Sequence, residues 1–123
     1  MAAHNELGKL GEAAAQALLK QKGHEIVVCN YRFGRAEIDI ISKENGILIF
    51  TEVKTRSSEA FGYPEESVDR KKIRLMKEAA EEYMYQTGHE GELRFDIVSV
   101  LISKSKTEVH HIEDAFFHED ENY

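Results

Sequence analysis

Asn45-Gly46 stands between two short segments that alternate apolar and polar residues, and this limits the fold more than any other feature. Asn-Gly is the strongest short signal for a hairpin, because a type I′ turn needs positive φ at both central positions. The flanking strands are expected over residues 36–42 and 47–55. In the first, Glu37, Asp39 and Ile41 face one way and Ile38 and Ile40 the other. In the second, Leu48, Phe50, Glu52 and Lys54 share a face opposite Ile47, Ile49, Thr51 and Val53. A two-residue turn pairs Glu44 with Ile47, so Asp39 falls across from Glu52 and Glu37 across from Lys54. A four-residue turn would bring Glu37 opposite Glu52 instead. The polar face survives either way, because a slip of two keeps the parity.

The rest of the chain supplies elements to cover this hairpin. Residues 5–21 read as a helix, with Asn5 as its N-cap and Gly23 as its C-terminal cap. Leu7, Leu10, Ala14, Ala17 and Leu18 share one face at helical spacing, and Gly8, Gly11 and Ala15 gather on the adjoining one. Each glycine costs a helix roughly 0.5–1 kcal/mol, so another backbone is expected close to that face. A strand is expected over 25–31 and a loop over 57–66, which holds the only proline, Pro64. A second helix over about 67–86 has Val68, Lys72, Met76, Ala79, Ala80 and Tyr83 as its inner stripe, and Gly88 closes it. Strands over 94–103 and 107–112 and a turn near 114–117 complete the order α-β-β-β-α-β-β, an α/β fold with a mixed central sheet flanked by helices. The strand–helix–strand passage should be a right-handed crossover, which makes its two strands parallel.

With 123 residues, one domain is expected. At 41% hydrophobic and 32% charged the composition fits neither a membrane protein nor a disordered chain. The apolar run Ile47-Leu48-Ile49-Phe50 is too short to span a bilayer, and no charged-then-apolar leader opens the chain. A lone cysteine, Cys29, forms no internal disulfide and fits a reducing cytoplasm. Cys29 itself reads as a small core residue. The net charge of −7 counts against a nucleic-acid partner, but residues 108–123 hold six acidic and no basic residues. The remainder is close to neutral and leaves room for a local basic surface. The acidic end, 118–123, is expected to be mobile.

Two carboxylates opposed on a sheet repel each other, and burial among apolar neighbours adds a desolvation cost. A hard divalent cation such as Mg²⁺ or Mn²⁺ would remove both penalties. The plain alternative is a solvated sheet edge with Glu37 and Lys54 as a surface ion pair. Asp39 followed by Glu52-Val53-Lys54 resembles the PD-(D/E)XK signature of restriction-endonuclease-like nucleases. A wider set is more specific: Gly8-x-x-Gly11-Glu12, Asn30-Tyr31-Arg32, Gly34, Glu37-Ile38-Asp39-Ile40-Ile41, Phe50-x-Glu52-Val53-Lys54-x-Arg56, Arg94-Phe95-Asp96 and His111-Ile112-x-x-Ala115-Phe116. Together these resemble the YraN-type bacterial family, assigned to the endonucleases and similar to archaeal Holliday-junction resolvases. The resemblance covers residues 7–117.

The resemblance implies a restriction-endonuclease-like nuclease domain over 1–117 that hydrolyses DNA phosphodiester bonds with Mg²⁺ or Mn²⁺. Branched or structured DNA is the implied substrate, and a homodimer would match a two-fold junction. It implies Asp39 and Glu52 as metal ligands, with the main-chain carbonyl of Val53 and Glu12 joining them. Lys54 would orient the attacking water or stabilise charge at phosphorus. Arg32, Arg35 and Arg56 flank the acids in sequence and are candidate phosphate contacts. Phe61 and Tyr63 are candidates for stacking on bases, although packing is the simpler role. Lys72, on the inner stripe of the second helix, is a candidate for facing the site, although snorkelling is the simpler role, and Asp96 reads as structural. His110, His111 and His118 lack zinc spacing. The rivals are a non-catalytic nucleic-acid or repair-partner binding module with a nuclease-like fold, and an interaction module using its acidic end.

Overall fold

A computed structural model describes residues 2–57 and 70–116, with side chains from Glu6 onward. The expected loop with Phe61, Tyr63 and Pro64, the start of the second helix, and the acidic end with His118 lie outside the described residues. Helix α1 (Ala2–Gln21) leads into strands β1 (Glu25–Phe33), β2 (Ala36–Glu44) and β3 (Ile47–Arg56); helix α2 (Arg70–Thr87) and strands β4 (Leu93–Ile102) and β5 (Thr107–Ile112) follow. The five strands form one sheet in the order β1-β2-β3-β4-β5. All neighbours are antiparallel except β3 and β4, which run parallel on either side of α2, as a strand–helix–strand unit requires. The fold class and element order therefore agree with the sequence.

The two helices cover opposite faces. Met76, Ala79, Ala80 and Tyr83 of α2 pack on Ile41, Leu48, Phe50, Phe95 and Ile97. Ala15 and Leu19 of α1 pack on Ile40, Val98 and Val100. Both helices end in a glycine with positive φ, Gly23 at 99° and Gly88 at 72°. The amide after each glycine reaches back to Leu19 and Met84, which satisfies carbonyls that a helix end leaves open.

Helix α1 departs from the expected orientation in two ways. It starts at Ala2, so Asn5 lies inside it and not at its N-cap position. Its buried line is Gly11, Ala15 and Leu19, while Leu10 is 58% exposed and Ala17 also faces outward. The expected leucine stripe is therefore turned partly away from the sheet. Small residues decide this, because a Cβ on Gly11 would lie 1.8 Å from Thr55 Oγ1. The helix comes nearer to β3 on its glycine side than any leucine face would allow. Glu12, next to Gly11, comes in with it. Cys29 is exposed, contrary to its expected place in the core, because β1 is an edge strand that only β2 flanks.

Around Asn45-Gly46 the hairpin is as expected. Both turn residues have positive φ, 52° and 81°, and the register runs from Glu44 opposite Ile47 to Ile40 opposite Thr51. There the regular pairing stops, one residue before Asp39 would meet Glu52. In a two-residue hairpin the next hydrogen-bonded pair would join Ile38 and Val53. Instead, the Val53 amide donates to Asp39 Oδ2 at 2.7 Å. On the other side, Cys29 pairs with Ile40 and Tyr31 with Ile38, but Asn30 and Asp39 do not pair, and Asn30 has φ 57°. Ile38 packs with the α2 core beside Ile41, while Ile40 packs with the α1 core. The strict alternation expected of Glu37, Asp39 and Ile41 is thus broken at Asp39. β3 keeps its order because β4 pairs with it from Leu48 to Arg56.

Candidate active site

The break between β2 and β3 is where the candidate residues meet. Asp39, Glu52 and Lys72 line both of two adjoining clefts. One cleft, of about 270 Å³, is completed by Leu7, Gly8, Glu12, Val53, Lys54 and Thr55, on the α1 side. The other, of about 340 Å³, runs toward α2 and the turn after β1 and includes Arg35, Glu37 and Lys71. Carboxylates from α1, β2 and β3 therefore share one opening with two lysines, one from β3 and one from α2.

Glu52 is 3% exposed and is held by cations. Lys72 Nζ lies 2.6 Å from its Oε2, and Lys54 Nζ lies 3.5 Å from the same oxygen. Lys72 is thus an ion-pair partner of Glu52 and faces the site, where snorkelling was the simpler expectation. Burial and the nearby Glu52 carboxylate, with lesser contributions from Glu12 and Glu37, push the Asp39 carboxyl up to about 7. The Val53 amide opposes this. Burial also raises Glu12, which a hydrogen bond from Asn30 partly offsets and the charges of Glu37 and Glu52 reinforce. The cluster therefore carries an excess of negative charge that its own hydrogen bonds leave uncompensated.

The arginines separate. Arg35 lines the α2-side cleft, whereas Arg56 lines neither. Arg32 is largely exposed and lies 3.7 Å from Glu37, its neighbour across β1 and β2. Glu37 and Lys54 consequently do not form the ion pair that the extended register would have made. Asp96 sits elsewhere in the sheet, in a saturated network. Arg94 donates to both of its oxygens at 2.8 and 2.9 Å, His111 Nε2 lies at 2.7 Å, and the Asp114 amide donates at 3.0 Å. Lys22 Nζ lies 2.7 Å from His111 Nδ1. Because an ammonium can only donate, Nδ1 is the accepting nitrogen and Nε2–H faces Asp96.

Lys72 joins the site against its simpler reading as a snorkelling lysine, and Asn30, for which no role at the site was expected, bears on Glu12. Asparagine tolerates positive φ better than most residues, so an Asn within a strand pattern was a signal for a local break. A lysine in an apolar helical stripe likewise called for a buried counter-charge.

The donor set suits a hard dication in kind, since three carboxylates surround a backbone break and supply only oxygens. Among the described residues, no three acidic, histidine or cysteine side chains already converge as a metal-holding group. The present partner of Glu52 is an ammonium. Among the described residues, no helix is long and apolar enough to cross a membrane.

Comparisons with known proteins place the chain in a family. It is 45% identical over 118 residues to a UPF0102 protein of Christiangramia forsetii, covering 96% of this chain and 99% of that one. It is 43% identical over 117 residues to a UPF0102 protein of Bacteroides thetaiotaomicron, covering 95% and 97%. A solved structure, that of SSO0001, shares 19% identity and a TM-score of 0.39 over 92% of this chain and 52% of its own, a likeness too loose to bear on function. The profile of UPF0102, an uncharacterised protein family, matches residues 11–100, from the glycine of α1 that meets Thr55 into β4. The chain belongs to the UPF0102 family, the YraN-type group its motifs resemble.

Proposed function

We propose that this protein is a divalent-metal-dependent endonuclease that hydrolyses phosphodiester bonds in DNA, with branched or structured DNA as its substrate class. The observation that carries this reading is the meeting of Glu12, Asp39 and Glu52 with Lys54 and Lys72 where β2 and β3 stop pairing. Glu12, Asp39, Glu52 and the Val53 carbonyl would hold Mg²⁺ or Mn²⁺. When bound, such an ion lowers the pKa of a coordinated water and neutralises phosphate oxygens. Asp39 would give up a proton as it became a ligand, so binding is linked to proton release. Lys54, on a strand that is paired along its length with β4, would orient a water or stabilise charge at phosphorus. Arg35 and Lys71 on the wall of the larger cleft would position the flanking phosphate backbone without reading sequence.

The test is Mg²⁺- or Mn²⁺-dependent cleavage of linear, flap and four-way-junction DNA by the wild type beside Asp39→Ala. Cleavage by the wild type and a loss of about 10²–10³-fold in the variant support the reading. Equal rates, or no cleavage by either, defeat it. A second reading, a non-catalytic DNA-binding module, is favoured by one observation: Lys72 and Lys54 already neutralise Glu52. DNA binding without cleavage under every metal condition would select it.

A further inference from the structure

The geometry points to Lys72 as the resident counter-ion of this carboxylate cluster: it holds Glu52 in the metal-free protein, yields that oxygen to an arriving dication, and turns its charge toward the substrate phosphate. The inference rests on the nuclease reading of the same cleft and adds a residue outside the Asp39, Glu52-x-Lys54 pattern.

Three observations support it. First, the ammonium at 2.6 Å is the nearest cation to Glu52, closer than the motif lysine at 3.5 Å on the same oxygen. A metal ligating Glu52 must displace or share with Lys72 before anything else. Second, Lys72 can move. Its helix is anchored by Met76, Ala79, Ala80 and Tyr83 in the core, but its own side chain is 41% exposed. A fixed Cα with a flexible four-carbon stem lets the charge swing while the backbone stays still. Third, Lys72 lines both clefts together with Asp39 and Glu52, so its swing keeps it at the mouth of the site. Charge fits the sequence of events. With Asp39 protonated, the other two carboxylates balance the two ammonium groups; a dication that displaces that proton leaves one positive charge, and one phosphodiester cancels it.

The experiment measures Mn²⁺ binding to the full chain by calorimetry, without DNA, for wild type, Lys72→Met, Lys72→Gln, Lys72→Arg and Asp39→Asn. Thermal melts in the same buffers establish that each variant is folded. Removing the competing charge that pairs with Glu52 should tighten Mn²⁺ about tenfold in Lys72→Met and Lys72→Gln. Lys72→Arg should stay near wild type, and Asp39→Asn should lose most binding. On DNA, Lys72→Met should raise KM more than it lowers kcat, with partial rescue by arginine. Unchanged or weaker Mn²⁺ affinity in both neutral variants, with a wild type that binds, overturns this inference alone and makes Lys72 a prop for Glu52. A folded wild type that takes up no Mn²⁺ overturns both this inference and the nuclease reading.

Discussion

Asp39 and Asp96 are both aspartates on interior strands, and their surroundings drive them in opposite directions. Asp96 is buried completely, yet two guanidinium contacts, an imidazole and a backbone amide hold its carboxyl down to about 2 against the cost of burial. Asp39 is less buried, has one amide for a partner, and is pushed up to about 7 by desolvation and by Glu52. Degree of burial does not separate a structural acid from a reactive one; the balance of partners does. The saturated network ties β4 to β5 and to the turn after it. The unsaturated cluster stands at a gap in the sheet with open clefts on both sides, and an excess of carboxylate there is what a cation or a proton can relieve.

The largest expected effect tests this contrast directly. Asp96→Ala leaves Arg94 and the Asp114 amide without their acceptor and should cost about 3–5 kcal/mol in urea unfolding. Asp39→Asn should cost nothing or stabilise the metal-free protein, because it removes a charge that the fold does not satisfy. Equal losses at the two positions would break the comparison.

pH sharpens it, with opposite slopes. Asp96 titrates lower in the folded than in the unfolded chain, so it contributes stability above about pH 4 that is lost as the pH falls toward 2, on the order of 2 kcal/mol. Asp39 titrates higher in the folded chain, which therefore holds the extra proton between about pH 4 and 7. Its contribution falls as the pH rises through that window. Metal-free unfolding from pH 3 to 8 should show Asp39→Asn gaining on wild type between pH 4 and 7, and saturating Mn²⁺ should remove that gain. A constant difference across the range would contradict the assignment of Asp39 as the strained carboxyl.

Gly11→Ala tests how α1 enters the site. The new methyl would overlap the Thr55 side chain and push the helix off β3, at about 1–3 kcal/mol. Glu12 would move out with it, so cleavage should fall by more than the loss of folded protein explains. The smallest loss is expected at Asn30, where alanine would strain a backbone at φ 57°. About 1–2 kcal/mol is expected, measured by thermal melt, with Asn30→Gly costing less.

Much of the scaffold was legible in sequence because it rests on local rules. Asn45-Gly46 sets a turn whose φ values few other pairs accept, and that turn sets the register from Glu44/Ile47 to Ile40/Thr51. The apolar periodicity of Met76, Ala79, Ala80 and Tyr83 places α2, and a strand–helix–strand passage makes β3 and β4 parallel. The same register singled out Asp39, Glu52 and Lys54, and they line one cleft although that register ends at Ile40. Contact across distant segments decided the rest. Residues Gly11 and Ala15 bring α1 closer to β3 than leucines could, which turns Leu10 outward and carries Glu12 in. Extending the hairpin register by rule would have set Asp39 opposite Glu52 and Glu37 opposite Lys54. The chain instead breaks its ladder at Asn30 and Asp39, gives the Val53 amide to a side chain, and hands Glu52 to a lysine twenty residues further along. Turns and periodicity are properties of neighbouring residues. The partner of a half-buried charge is a property of whatever the fold brings beside it, and only tertiary packing settles that.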